Sequence, residues 1–142
     1  MRQVKHLLQR KGNGIFAIAP EAPVLDAIKH MAEKQVGALL VMRGEQLVGI
    51  VSERDYARKV ILQGRSSADT PVEAIMTSSP LTVGPNTDVL DCMRLCTDRR
   101  IRHLPVVFNS HVIGVISIGD LVMEVIKAQA EEIDLLQRYI TS

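Results

Sequence analysis

Two octapeptides of this chain, Val48-Gly49-Ile50-Val51-Ser52-Glu53-Arg54-Asp55 and Ile113-Gly114-Val115-Ile116-Ser117-Ile118-Gly119-Asp120, carry Gly, Ser and Asp at one spacing. In each, an apolar run suited to a strand gives way to a sequence suited to a helix. The start of a helix offers unpaired N–H groups and a positive dipole end to a phosphate, and a serine hydroxyl there adds a donor. An aspartate in the first turn can accept both hydroxyls of a ribose. Glycine among β-branched residues weakens a strand, and close approach by another backbone or a ligand is one good reason for it. A local reading competes. Ser-x-x-Asp at a strand-to-helix junction resembles a capping box, in which hydroxyl and carboxylate satisfy free N–H groups. The recurrence of Gly, Ser and Asp together favours a ribose-phosphate site.

Other chemistries lack carriers. His6, His30, His103 and His111 show no metal-ligand spacing, and no Ser/His/Asp or Cys/His set stands in a nucleophile context. Cys92 and Cys96, four apart, fit reduced core packing on a helix better than a disulfide or a zinc site. Gly12-Asn13-Gly14-Ile15-Phe16-Ala17 matches a loose dinucleotide pattern, but no strand precedes it and a strand follows. A net charge of +1 and only four aromatic residues argue against nucleic acid as a partner. No apolar run reaches the ~18 residues of a membrane span, and the first residues lead into no signal-peptide core. The expected location is cytoplasmic, with no metal, no catalytic cofactor and no enzymatic turnover.

The elements that must position the two motifs are themselves repeated. Pro20 to Ile61 lies on Pro85 to Ile126 at a constant offset of 65 without a gap. Each copy opens with a short strand, Ile15 to Ala19 or Leu81 to Gly84. A helix follows, with an apolar stripe of Val24, Leu25, Ile28, Met31 and Ala32, or of Val89, Leu90, Met93 and Cys96. Paired runs then read as hairpins: Val36 to Met42 with Leu47 to Ser52, and Ile101 to Phe108 with Val112 to Ser117. A second helix closes each copy, Glu53 to Leu62 ended by Gly64, and Gly119 onward to about Tyr139. The fold class is therefore α/β (α+β), the order β-α-β-β-α twice. Residues 1–14 form a lead segment with a helix over Val4 to Arg10, 15–63 the first repeat, 64–79 a linker, 80–128 the second repeat and 129–142 a helical extension. Two half-domains of this kind are expected to bury their open faces on one another with pseudo-two-fold symmetry.

This doubled strand-helix-hairpin-helix, each copy ending Gly-x-x-Ser-x-x-Asp, with Arg102-His103-Leu104-Pro105-Val106-Val107 leading the second hairpin, resembles the paired cystathionine-β-synthase (CBS) domain family, the Bateman module. The resemblance covers about residues 12 to 128. It implies adenine nucleotides or related adenosyl compounds, such as AMP, ADP, ATP, NAD or S-adenosylmethionine, as regulatory ligands in clefts between the repeats. By that likeness Asp55 and Asp120 hold ribose hydroxyls and Ser52 and Ser117 stand near phosphate. The hairpin starts, Gly37 and Ala38 in one copy and Arg102 and His103 in the other, line the clefts, and Ile18 and Val83 flank adenine. The copies also differ: the first has Arg54, Arg58 and Lys59 where the second has Gly119, Met123 and Glu124, so the two clefts are not equivalent. Arg54 and Arg58 also suit a solvated helix face, and His103 a strand cap.

The late apolar residues Leu121, Val122, Val125, Ile126, Ile133, Leu136 and Ile140, with Val4, Leu7 and Leu8 of the lead helix, exceed what one repeat pair can cover and imply a homodimer. The overall expectation is a stand-alone regulatory sensor that signals by conformational change, to an effector protein the sequence does not identify. Its rivals are a ligand-independent dimerisation scaffold and, further off, a phosphohydrolase.

Overall fold

A computed structural model describes residues 2–12 and 14–141; Met1, Ser142 and Asn13 of the Gly-x-Gly pattern lie outside the described residues. The chain divides into two compact units, one of residues 15–81 and one that combines 1–14 with 82–142.

In the unit of residues 15–81, β1 (Ala17–Ile18), β2 (Ala38–Arg43), β3 (Gln46–Ser52) and β4 (Thr77–Ser78) form one sheet in that order. β1 runs parallel to β2, and the β2–β3 and β3–β4 pairs are antiparallel. The helix α2 (Val24–Lys34) packs on the sheet through Val24, Ala27 and Met31, spaced i, i+3, i+7 on one face. Ala27 thus replaces Ala32 in the expected stripe, because the buried face is centred one residue away. Gln35 ends the helix in the left-handed region at φ 56°. The helix after β3 begins as α3 (Glu53–Tyr56) and widens into a π turn over Ala57–Ile61. Residues 72–78, within the stretch assigned to the linker, add a 3-10 turn at Val72–Ala74, with Val72 and Ile75 buried in this core, and then β4.

The other unit repeats the plan. α4 (Val89–Arg99) buries Val89, Cys92 and Cys96, so Cys92 stands where Leu90, 45% exposed, was expected. Cys96 does take the place of Met31, 65 residues earlier, and both are buried. β5 (His103–Phe108) pairs with β6 (His111–Ser117) in the register of β2 and β3, and both hairpins carry a register shift at equivalent positions, Val41/Met42 and Val106/Val107. The second hairpin turns on Asn109 and Ser110, both at positive φ, as a two-residue turn that matches strand twist requires. The expected strand Leu81 to Gly84 shrinks to a parallel bridge between Val83 and Val106, as Ile15 to Ala19 shrinks to two residues. α5 runs unbroken from Ile118 to Thr141.

The lead helix α1 (Val4–Lys11) belongs to this unit and buries Val4, Leu7 and Leu8 in its core beside Leu104, Ile116 and Leu121. These residues therefore complete a core rather than enlarge an exposed patch. Of the other late apolar residues, Val125 is half-buried against the same core, while Val122, Ile126, Ile133, Leu136 and Ile140 do lie at the surface, 40%, 51%, 55%, 56% and 78% exposed. Among the described residues no helix is long and apolar enough to cross a membrane.

Candidate functional site

Each unit builds one strand-to-helix corner from its Ser-x-x-Asp motif. At the end of β3 the chain leaves extended backbone at Ser52, and the first helical N–H groups need acceptors. Ser52 Oγ accepts from the Asp55 N–H at 3.2 Å, while Asp55 Oδ2 accepts from the Ser52 N–H at 2.9 Å and from its hydroxyl at 3.0 Å. At the end of β6, Ser117 Oγ accepts from the Asp120 N–H at 3.1 Å, and Asp120 Oδ2 accepts from the Ser117 N–H at 2.8 Å. The capping geometry is thus present twice, and it fixes each carboxylate beside its serine at the mouth of a helix.

The hairpin start meets the same corner. The Gly37 carbonyl accepts from the Glu53 N–H at 3.1 Å and Ala38 lies opposite Ser52. Likewise the Arg102 carbonyl accepts from the Ile118 N–H at 2.9 Å and His103 lies opposite Ser117. Gly37, Ala38, Ser52 and Asp55 therefore gather in one unit, and Arg102, His103, Ser117 and Asp120 in the other. Ile18 and Val83 stand apart, paired with Val41 and Val106 three residues along the strand from Ala38 and His103, a rise of about 10 Å. Arg54 and Arg58 are exposed on the helix after β3.

The corners differ in what neutralises the aspartate. Lys59, one turn along the same helix, places Nζ 3.3 Å from Asp55 Oδ1 and donates to the Ile75 carbonyl at 2.8 Å. Asp120 is met from elsewhere in the chain: Lys11, the last residue of α1, donates to Asp120 Oδ2 at 2.7 Å and to the Val115 carbonyl at 2.7 Å. Burial alone raises the Asp120 carboxyl, but the Lys11 ammonium and the Ser117 donors outweigh it and hold the group below its ordinary value. Burial lowers His103, helped by the Lys11 and Arg102 charges and opposed by Asp120. The sequence reading passed over Lys11, because no spacing rule links residues 109 positions apart. Its one sign was a cation closing an amphipathic helix of undetermined partner.

Neither strand glycine opens space for a ligand. A Cβ on Gly49 would stand 2.9 Å from the Thr77 carbonyl oxygen and run into Met76, and one on Gly114 would stand 2.8 Å from Leu8 Cδ2. Of the two reasons weighed for these glycines, close approach by another backbone applies at Gly49, through Thr77, while at Gly114 the neighbour is the Leu8 side chain, which was not weighed. The segments responsible are equivalent, since Leu8 and Met76 both belong to the stretches that precede a repeat.

The profile of the CBS domain matches the chain twice, over residues 4–61 and 72–127. The CBS domain-containing protein CBSX3, mitochondrial, of Arabidopsis thaliana is 51% identical over 122 residues, which are 82% of this chain and 59% of that protein. The chain thus spans well under two thirds of that relative's length. A CBS-domain protein of Burkholderia ambifaria MC40-6 is 50% identical with a TM-score of 0.87, covering 90% of this chain and 96% of the other. The CBS domain protein PAE2072 from Pyrobaculum aerophilum, solved complexed with AMP, is 25% identical with a TM-score of 0.76, covering 89% of this chain and 99% of its own.

Proposed function

Because the chain belongs to the CBS-domain family, we propose that it is a regulatory sensor of adenine nucleotides, of the AMP, ADP, ATP or NAD type, held in clefts between its two repeats. The observation that carries this reading is the pair of corners: twice, a carboxylate is fixed beside a serine hydroxyl at a helix N-terminus, an arrangement that suits a ribose and its phosphate. The AMP-bound relative from Pyrobaculum supports the ligand class. Asp55 and Asp120 take ribose hydroxyls, Ser52 and Ser117 the phosphate side, with Gly37, Ala38, Arg102 and His103 along the hairpin starts and Ile18 and Val83 toward the base. Arg54 and Arg58 supply charge at the first corner only.

The ligand is bound rather than turned over. It acts by favouring one arrangement of repeats or protomers, and its effect is limited by its differential affinity for the two. The exposed apolar side of α5 supports a homodimer that passes such a change to an effector protein. A cytoplasmic setting suits the two buried free thiols, Cys92 and Cys96.

One observation favours the scaffold reading: Ser and Asp satisfy each other as caps, which needs no ligand. Thermal melting in millimolar AMP, ADP, ATP, NAD and S-adenosylmethionine separates the two. A ligand at ~100 times its Kd adds about 2.7 kcal/mol, a rise of several degrees. No movement with any of them leaves the scaffold.

A further inference from the structure

The ammonium of Lys11 stands on the carboxylate that the sensor reading assigns to ribose. It donates to Asp120 Oδ2, the oxygen that also accepts the Ser117 N–H, and to the Val115 carbonyl. Arg102 and His103 flank it at the start of the β5 hairpin, where Lys11 and Arg102 are the cations and His103 is held toward its neutral form by burial and by those two charges. The other corner is built differently. The residue 65 positions after Lys11 is Met76, which packs over Gly49 and carries no charge. Asp55 has instead Lys59 from its own helix, at 3.3 Å and tied to the Ile75 carbonyl.

We propose that Lys11 is a specificity-determining residue that makes the Asp120 corner select phosphorylated adenosine over adenosine itself. The inference rests on the adenine-nucleotide reading and concerns the Asp120 corner, whose cation comes from α1 and not, as Lys59 does for Asp55, from the helix that carries the aspartate. A ribose that takes Asp120 displaces the ammonium from Oδ2. Adenosine offers that cation no new anion, so part of its binding energy goes to breaking an ion pair. A 5′-phosphate at Ser117 and the α5 N-terminus gives the ammonium a new partner within reach of its flexible four-carbon stem. Gly12, at φ +92° directly after Lys11, closes α1 with its N–H bonded to the Leu8 carbonyl at 2.8 Å, so the adjustment falls to the Lys11 side chain.

Titration of the ¹⁵N-labelled full chain with AMP and with adenosine, following the Ser117 and Asp120 amide signals, reads this corner alone. In the parent, AMP binds more tightly than adenosine; in Lys11→Met the ratio of the two affinities falls about tenfold, and in Lys11→Arg it is retained. Lys11→Gln carries the same expectation should Lys11→Met fail to fold. A ratio unchanged in folded Lys11→Met or Lys11→Gln overturns the proposal and makes Lys11 a helix-docking contact, while the nucleotide reading stands. If neither compound moves these signals in the parent, the proposal falls, and the nucleotide reading is decided separately by the melting series.

Discussion

Replacing Gly114 or Gly49 by alanine adds one methyl group, and the structure specifies what that methyl meets. Neither glycine has a positive φ, so the backbone itself accepts alanine, and relief of glycine's flexibility in the unfolded chain would by itself stabilise each variant by about 0.4–1 kcal/mol. Against this, the new Cβ at 114 lies 2.8 Å from Leu8 Cδ2, and Leu8 is only 5% exposed, so its side chain has little room to yield. At 49 the Cβ lies 2.9 Å from the Thr77 carbonyl oxygen, which is backbone paired in the sheet. Overpacking of this kind costs about 1–3 kcal/mol. The expected net destabilisation is about 1 kcal/mol for Gly114→Ala and about 2 kcal/mol for Gly49→Ala, where β4 must shift. Urea unfolding at constant m reads both values. A coupling test sharpens the prediction: Leu8→Ala alone costs about 2–5 kcal/mol by leaving a cavity, and adding Gly114→Ala to it costs nothing more, because the added methyl enters the vacated space. If both glycine variants are as stable as the parent, or if Leu8→Ala and Gly114→Ala are simply additive, the close approach of the lead segments to β3 and β6 is refuted.

Asp55→Asn and Asp120→Asn each weaken a nucleotide in their own cleft by about 1.5–3 kcal/mol by calorimetric titration, since an amide accepts one hydroxyl well and a carboxylate two; a loss of stability with affinity unchanged would mean that the aspartates only cap. Truncation after Lys127 removes Ile133, Leu136 and Ile140 and yields a monomer by sedimentation, whereas the full 15.7 kDa chain sediments as a dimer; equal dimerisation by the two would move the interface elsewhere. Because the folded Asp120 carboxyl is held below its ordinary value, its stabilising contribution is present above about pH 4 and is lost as the pH falls through the folded value. The stability gap between parent and Asp120→Asn therefore narrows from pH 6 to pH 3, and a constant gap refutes the pairing. Burial pushes the Cys92 thiol up to about 11 and raises Cys96, so neither reacts with a disulfide reagent at pH 8 until the chain unfolds.

The repeat, the hairpins and both Ser-x-x-Asp corners were legible because they rest on local rules: a constant offset, alternation of apolar residues and a helix start. The register shifts at Val41/Met42 and Val106/Val107 follow the same offset. What escaped is non-local. Val4, Leu7 and Leu8 announce an apolar helix face, yet nothing in their spacing says that Leu104, Ile116 and Leu121 will cover it. Val72 and Ile75 read as connection because a 3-10 turn is too short to show a period. Ala27 and Cys92 are small enough to be passed over in favour of Leu25 and Leu90, although close packing of helix on sheet prefers the small side chain. Lys11 was missed for the same reason as its helix: its role exists only once α1 has been docked.

The unit that contains α1 is discontinuous in the chain, and this gives biosynthesis a direction. Residues 15–81 are contiguous and can complete their core while the ribosome is still at work, but α1 must wait for Leu104, Ile116 and Leu121 to emerge. At 5–20 residues per second that wait lasts roughly 5–20 s, during which α1 has its apolar side uncovered. Damage to α1 consequently falls on the later repeat, and its loss would leave the unit of residues 15–81 whole while stripping the other of part of its core.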